Sequence, residues 1–236
     1  MLPEARARVH AAFEEAAGRF ARAPGVRRLL DGEITVAHYG ALLRQIFHHA
    51  RENPQLQVLA SVFFRGEQRS VVRPFFKHAT SEIGHDQLAL DDLARLGADV
   101  SGVRAERPLP ETSALLGLAF YEIQHRNPVG YLGYLYFLEY LPTSAGAAYR
   151  DALLRIGVPA DAMTFLHDHM TVDVGHNRLM EVYLDGLVTS EEDLDAVVYM
   201  IGATGVMYAR MVEAAFAWAD DPREPAPARE ELRRAM

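Results

Sequence analysis

Apolar residues recur along almost the whole chain at the three- and four-residue spacing of amphipathic helices. We find no run that alternates apolar and polar side chains over the length of a strand. The pattern predicts helices at about residues 5–22, 35–49, 54–64, 71–96, 112–126, 129–140, 144–155, 159–184 and 190–218. We therefore expect an all-α fold, a helical bundle of about eight or nine helices.

The helical pattern extends over residues 1–220 without an internal repeat, which predicts a single domain with a sizeable core. Residues 98–110 are rich in Pro, Gly and charge, and we expect a loop there. Residues 221–236 are charged and interrupted by proline, so we expect a loosely held tail at the end of the chain.

Charge and composition limit the classes of partner and site. The net charge of −8 argues against nucleic acid or an anionic membrane surface as a partner. The first helix lacks the apolar centre of a signal peptide and no apolar run is long enough to span a membrane, so we expect a cytoplasmic protein. Because the chain has no cysteine, any metal site must use His, Asp and Glu.

One polar stripe lies on the predicted helix 159–184. His169, Asp173 and His176 stand at i, i+4 and i+7, which places them within about 40° of one another around a helix. Burying two imidazoles and a carboxylate is costly unless they have a partner. A transition metal is a suitable partner, because neutral imidazole and carboxylate are among its usual ligands.

Two other helices offer further ligands. Glu82 and His85 form an E-x-x-H pair in the helix predicted at 71–96, and Glu139 is the only charged residue between positions 131 and 141. With the stripe, these residues give three carboxylates and three imidazoles, which is enough for two metal ions.

A second E-x-x-H pair raises the alternative of a ferritin-like di-iron site. Glu122 and His125 have the right spacing, but between His85 and Glu122 the candidate glutamates lie in or beside the predicted loop 98–110. The ferritin order of ligands therefore fails. We interpret Glu122 and His125 as a solvated helix end.

The set Glu82-x-x-His85, Glu139 and His169-x-x-x-Asp173-x-x-His176 resembles the ligand motifs of the heme-oxygenase-like di-iron oxidases and oxygenases, in their order along the chain. The resemblance spans roughly residues 30–215. It implies a heme-oxygenase-like bundle that holds two Fe(II) ions and uses O2 as co-substrate. The implied metal ligands are Glu82, His85, Glu139, His169, Asp173 and His176. Some members carry a further carboxylate seven residues before the first-motif histidine, where this chain has His78.

The resemblance implies oxidation of a small amino acid, amine or carboxylate, by desaturation, oxidative C–C cleavage or N-oxygenation, in a specialised biosynthetic pathway. It is compatible with an external electron donor and a homodimer. Residues near the ligands on the predicted inward stripes are candidates for the substrate pocket: Gln45, His48, His49, His78, Tyr136, Arg178 and Met180. His167 and Asp168 are expected to face outward or to contact the ligands from behind.

Two alternatives stay open. A thiaminase-type hydrolase would share the fold, but its chemistry relies on a cysteine nucleophile that this chain lacks. The second alternative is a module of the same fold that binds iron or a partner protein without turnover.

Overall fold

The computed structural model describes residues 3–221, with the side chains of residues 172–177 excepted. The predicted tail therefore lies outside the described residues apart from Asp221. The described residues form helices and connecting turns without a strand, so the all-α prediction is confirmed. The α-helices are α1 (Pro3–Arg22), α2 (Pro24–Asp31), α3 (Val36–Ala50), α4 (Asn53–Ser61), α5 (Val72–Ser81), α6 (His85–Arg95), α7 (Pro110–His125), α8 (Tyr131–Arg155), α9 (Thr164–Leu187) and α10 (Glu191–Asp220).

Short 3₁₀ turns join several of these helices, at Gly66–Val71, Val103–Ala105, Pro128–Gly130 and Ala160–Ala162. Helix α10 packs against α1, α3, α7 and α8, α9 packs along α8, and α3 packs along α6. The aromatic core between these helices includes Phe137, whose ring contacts Phe13 in a tilted pair and Phe20 edge-on. None of the described helices is long and apolar enough to cross a membrane.

The helix predicted at 71–96 is broken in the middle. Helix α5 ends at Ser81 and α6 begins at His85, while Gly84 between them has φ of 104°. This left-handed conformation favours glycine, because a side chain would be strained there. The prediction of one continuous helix was wrong, and Glu82 and His85 lie on either side of the break rather than on one helical face.

The two helices predicted at 129–140 and 144–155 are one helix, α8, with Pro142 in its interior. Proline removes one backbone donor from a helix, but surrounding packing can hold such a helix together. The hydroxyls of Thr143 and Ser144 donate to the carbonyls of Tyr140 and Leu141 on this stretch. Glu139 therefore lies near the middle of a long helix and not at an end.

Helix α8 approaches α10 closely at Gly133. A Cβ at this position would overlap the carbonyl oxygen of Val197 and lie 2.8 Å from the backbone nitrogen of Ile201. The contact sets the position of the helix that carries Glu139. Helix α10 itself begins where the sequence predicted, with Ser190 as its N-cap and Asp193 completing the capping box.

Candidate metal centre

Five histidine and glutamate side chains from three parts of the chain meet inside the bundle. They come from the α5–α6 junction, from the middle of α8 and from the first half of α9. They form two groups whose ligand atoms lie within 4.8 Å of one another, and the two groups share one residue. The residues are His78, Glu82, His85, Glu139 and His169.

The first group consists of His78, Glu82 and Glu139, all buried. Nε2 of His78 lies 3.1 Å from Oε1 of Glu139 and 3.7 Å from Oε1 of Glu82. The His78 ring stacks on the ring of Tyr183 from α9, with their centroids 6.0 Å apart. Two carboxylates and an imidazole therefore converge from α5, the turn after it and α8.

The second group consists of Glu82, His85 and His169. Oε2 of Glu82 lies 3.2 Å from Nδ1 of His85, and the rings of His85 and His169 meet edge-on with centroids 4.8 Å apart. His85 and His169 are only partly buried, so this group lies nearer the surface than the first. Glu82 thus directs one carboxylate oxygen toward each group.

The orientation of His169 is fixed by its own helix. Its Nδ1 lies 2.7 Å from the carbonyl oxygen of Phe165, and its ring stacks on the Phe165 ring at 4.1 Å. Because a carbonyl oxygen can only accept, Nδ1 carries the proton. In the neutral ring, Nε2 then carries the lone pair that can bind a metal ion. Burial, followed by the neighbouring His85, lowers the pKa of His169, which favours the neutral form that binds metal.

Asp168 lies beside the second group. Its Oδ2 is 3.6 Å from Nε2 of His85, and its side chain is partly exposed. His167, one residue earlier, is exposed. A carboxylate next to a ligand imidazole can orient the ring from behind, and that is the placement expected for Asp168 from the sequence.

The side chains of Asp173 and His176 lie outside the described residues. Their backbone belongs to α9, which runs without interruption from His169 through both positions. Their part in the centre therefore stays a prediction from the H-x-x-x-D-x-x-H spacing.

His78 is the ligand candidate that sequence reasoning placed only in the substrate pocket. Its spacing of four residues from Glu82 and seven from His85 would bring all three together on an unbroken helix. Some heme-oxygenase-like di-iron oxidases and oxygenases, whose motifs this chain resembles, have a carboxylate at this position. An imidazole is also a usual ligand for iron.

The other predicted pocket residues have varied surroundings. Oε1 of Gln45 accepts hydrogen bonds from Leu109 and Thr112, while His48 and Met180 are buried and Arg178 is exposed. Tyr136 stacks on Tyr140 at 4.1 Å. None of these five lies within the two described clusters of metal-ligand atoms.

His49 is buried next to the centre. Its Nε2 lies 2.7 Å from the hydroxyl of Tyr134. Burial, followed by the nearby His169, lowers the pKa of His49 to about 4, so this ring is neutral at physiological pH.

The environment of Glu122 differs from the solvated helix end that the sequence predicted. Its side chain is buried, and its pKa is raised by burial even though the backbone N–H of Asn127 donates to it. The carboxylate packs against Gly130, where a Cβ would lie 2.9 Å from Cγ of Glu122. This glutamate therefore stabilises the turn between α7 and α8, while His125 is exposed as expected.

Comparison with known proteins places this arrangement in context. The family model described as iron-containing redox enzyme matches residues 41–207. A search of curated proteins finds no match. The family match covers both described ligand groups and the positions of Asp173 and His176.

Solved structures share the fold. A domain of unknown function with a heme oxygenase-like fold from Shewanella denitrificans is 24% identical, with a TM-score of 0.80 and 92% of each chain covered. A TenA homologue from P. horikoshii is 12% identical, with a TM-score of 0.72, over 90% of this chain and 98% of that one. A TenA homologue from Pseudomonas syringae is 12% identical, with a TM-score of 0.71, over 91% and 93%. The heme oxygenase-like fold expected from the sequence is confirmed.

Proposed function

We propose that this chain, which belongs to the family of iron-containing redox enzymes, is a non-heme di-iron oxidase or oxygenase. It would use O2 to oxidise a small amino acid, amine or carboxylate. The observation that carries the proposal is the position of Glu82, whose Oε1 faces His78 and whose Oε2 faces His85. A carboxylate between two ligand groups is suited to bridge two metal ions.

The donor atoms fit iron. Imidazole nitrogen and carboxylate oxygen are ligands that Fe(II) accepts, and the chain has no cysteine to hold an iron–sulfur cluster. We propose that His78, Glu82 and Glu139 hold one ion and that Glu82, His85 and His169 hold the other. Asp173 and His176 are proposed to complete the set from α9. Bound iron would supply the reduction of O2 and the oxidation of the substrate.

The protein contributes burial, orientation and access. Burial of His78, Glu82 and Glu139 excludes bulk water from one side of the centre, and the Phe165 carbonyl fixes the His169 ring. An open cleft of about 790 Å³ between α4 and the α5–α6 turn reaches Glu82. Its walls include Val58, Val62 and Ile83, so a small organic molecule could approach along a largely apolar surface.

Iron stoichiometry tests the proposal directly. Anaerobic Fe(II) titration of the wild-type chain, with and without a panel of amino acids, amines and carboxylates, should saturate at about two ions per chain. Glu82→Gln keeps the shape of the side chain but weakens its binding to metal, and should hold about one ion or fewer. Glu67→Gln changes an exposed glutamate that belongs to neither ligand group and should behave as wild type.

Turnover separates an enzyme from an iron-binding module. Rapid mixing of the iron-loaded protein with O2 should give faster O2 consumption when the correct substrate is present. Failure of the wild-type protein to bind iron, or two ions held by Glu82→Gln, would overturn the di-iron assignment. Iron binding without substrate-dependent O2 consumption across the panel would favour the module.

A further inference from the structure

A partly open cavity of about 110 Å³ lies beside His169. Six helices form its walls. Representative wall residues are Phe20 of α1, Leu29 of α2, Leu42 of α3, Leu153 of α8, His169 of α9 and Val212 of α10. The cavity therefore reaches a proposed iron ligand along largely apolar walls.

The lining carries no charged side chain. Its polar side-chain groups are the His169 ring and the hydroxyls of Tyr39, Tyr149 and Tyr208. Burial raises the pKa of all three tyrosines, that of Tyr208 to about 12, so the hydroxyls are neutral at physiological pH. An ammonium or carboxylate placed here would lose its hydration without a counter-charge. The part of a ligand that enters must be uncharged.

The volume limits the size of that part. Protein interiors are close-packed, and an empty space of this size loses contacts that a ligand would restore. An apolar protein cavity of about 150 Å³ holds a benzene molecule, so a space of about 110 Å³ suits roughly four or five carbon atoms. A long acyl chain would extend beyond this space and gain no further contact with its walls.

Two helices that carry proposed ligands also form the cavity wall. Pro142, one turn after Glu139 on α8, lines it, as do Phe165 and His169 of α9. Because His169 belongs both to the second ligand group and to the cavity wall, a molecule with its polar end at the ligand groups could direct its apolar end into the cavity.

We infer that this cavity binds the aliphatic part of the substrate, a group of about four or five carbons attached to the carboxylate or amine that reaches the iron centre. The inference rests on the proposed function for the polar end of the molecule. The cavity itself is formed by protein residues alone and does not depend on bound iron.

A homologous series of carboxylates tests the inference on the iron-loaded full chain under anaerobic conditions. Binding of butanoate, hexanoate, octanoate and decanoate is measured by calorimetry. Hexanoate should bind about tenfold more tightly than butanoate, because two further methylene groups are buried. Octanoate and decanoate should bind no more tightly than hexanoate.

Two variants at one wall position move the preference in opposite directions. Leu42→Ala enlarges the cavity and should shift the best binder to an acid about two carbons longer, whereas Leu42→Phe should abolish the preference for hexanoate. Leu116→Ala is the control, because Leu116 is as buried as Leu42 but does not line the cavity. It should lower stability and leave the order of the acids unchanged.

Xenon binding to the iron-free protein keeps the two proposals distinguishable. NMR of dissolved xenon should show one saturable site that Leu42→Phe removes and Leu116→Ala retains. Decanoate binding as tightly as hexanoate in the wild-type chain, or an unchanged order in Leu42→Ala, would overturn the inference while the iron stoichiometry stands. Loss of iron binding with a normal xenon site would instead overturn the proposed function.

Discussion

The Asp92 carboxylate accepts two hydrogen bonds from Thr164, one from its backbone nitrogen at 2.9 Å and one from its hydroxyl at 2.6 Å. Phe165 N–H donates to the second carboxylate oxygen at 2.8 Å. Asp92 is fully buried on α6, and Thr164 begins α9. The carboxylate therefore ties the helix that begins at His85 to the helix that carries His169, and it occupies the favourable N-terminal end of the α9 dipole.

Replacing Asp92 should loosen this connection. Asp92→Ala leaves the first N–H groups of α9, which are partly buried, without their acceptor, and we expect a loss of about 2–3 kcal/mol in the free energy of unfolding. The same variant should bind Fe(II) more weakly, because His169 is no longer held in register with His85. Urea denaturation and anaerobic titration measure the two effects. Asp91→Asn changes the preceding residue, which is partly exposed. It should alter neither the free energy of unfolding nor the Fe(II) affinity by much.

Gly133 should tolerate no side chain. Gly133→Ala places a methyl group against the backbone of α10, and we expect a loss of about 3 kcal/mol or more, because neither backbone can move without disturbing the core. Gly117→Ala on α7 is the matched control. A Cβ there meets no atom within 4 Å, so the same change should stabilise the helix by about 0.5–1 kcal/mol. Thermal unfolding of both variants gives the comparison, and equal effects would contradict the close approach.

His78 should be required for one of the two irons. His78→Ala removes an imidazole beside Glu139 and should weaken the binding of one Fe(II) ion by about tenfold or more. Some heme-oxygenase-like di-iron oxidases and oxygenases have a carboxylate at this position. We therefore expect His78→Glu to retain more iron than His78→Ala. Competition with a coloured iron chelator measures the affinities. His10→Ala, at an exposed position on α1, is the control.

The stability that Asp193 gives to the N-terminus of α10 should depend on pH. Burial raises the pKa of Asp193, but hydrogen bonds from Asn127, Thr189 and Ser190 outweigh it and lower the pKa overall. A lowered folded-state pKa means that the stabilisation is present above about pH 4 and is lost as pH falls through the folded-state value. Asp193→Ala should therefore cost about 1–2 kcal/mol near pH 6 and distinctly less near pH 3.

Urea midpoints of wild type and Asp193→Ala across that pH range measure the dependence. Glu192→Ala changes the exposed neighbouring acid and should show a small effect at every pH. A penalty for Asp193→Ala that grows as the pH falls would contradict the assigned sign.

Local patterns in the sequence were sufficient for the helical class, for the cap at Ser190 and for most of the ligand candidates. Helical period, capping residues and i, i+4 spacing are properties of neighbouring residues, and they are visible without a partner helix. The isolation of Glu139 among apolar residues likewise predicted its burial, which the structure confirms.

Tertiary packing decided the rest. The helix predicted at 71–96 breaks at Gly84, and Glu82 beside this break belongs to both ligand groups. Helix α8 continues through Pro142, where its contacts with α9 and α10 support it. The pairing of His78 with Glu139 joins residues 61 positions apart, and the apolar cavity is lined by residues of six helices. Local sequence specifies which residues can bind metal or pack, whereas the distances between helices depend on the whole set of core contacts, and those contacts determine which residues meet.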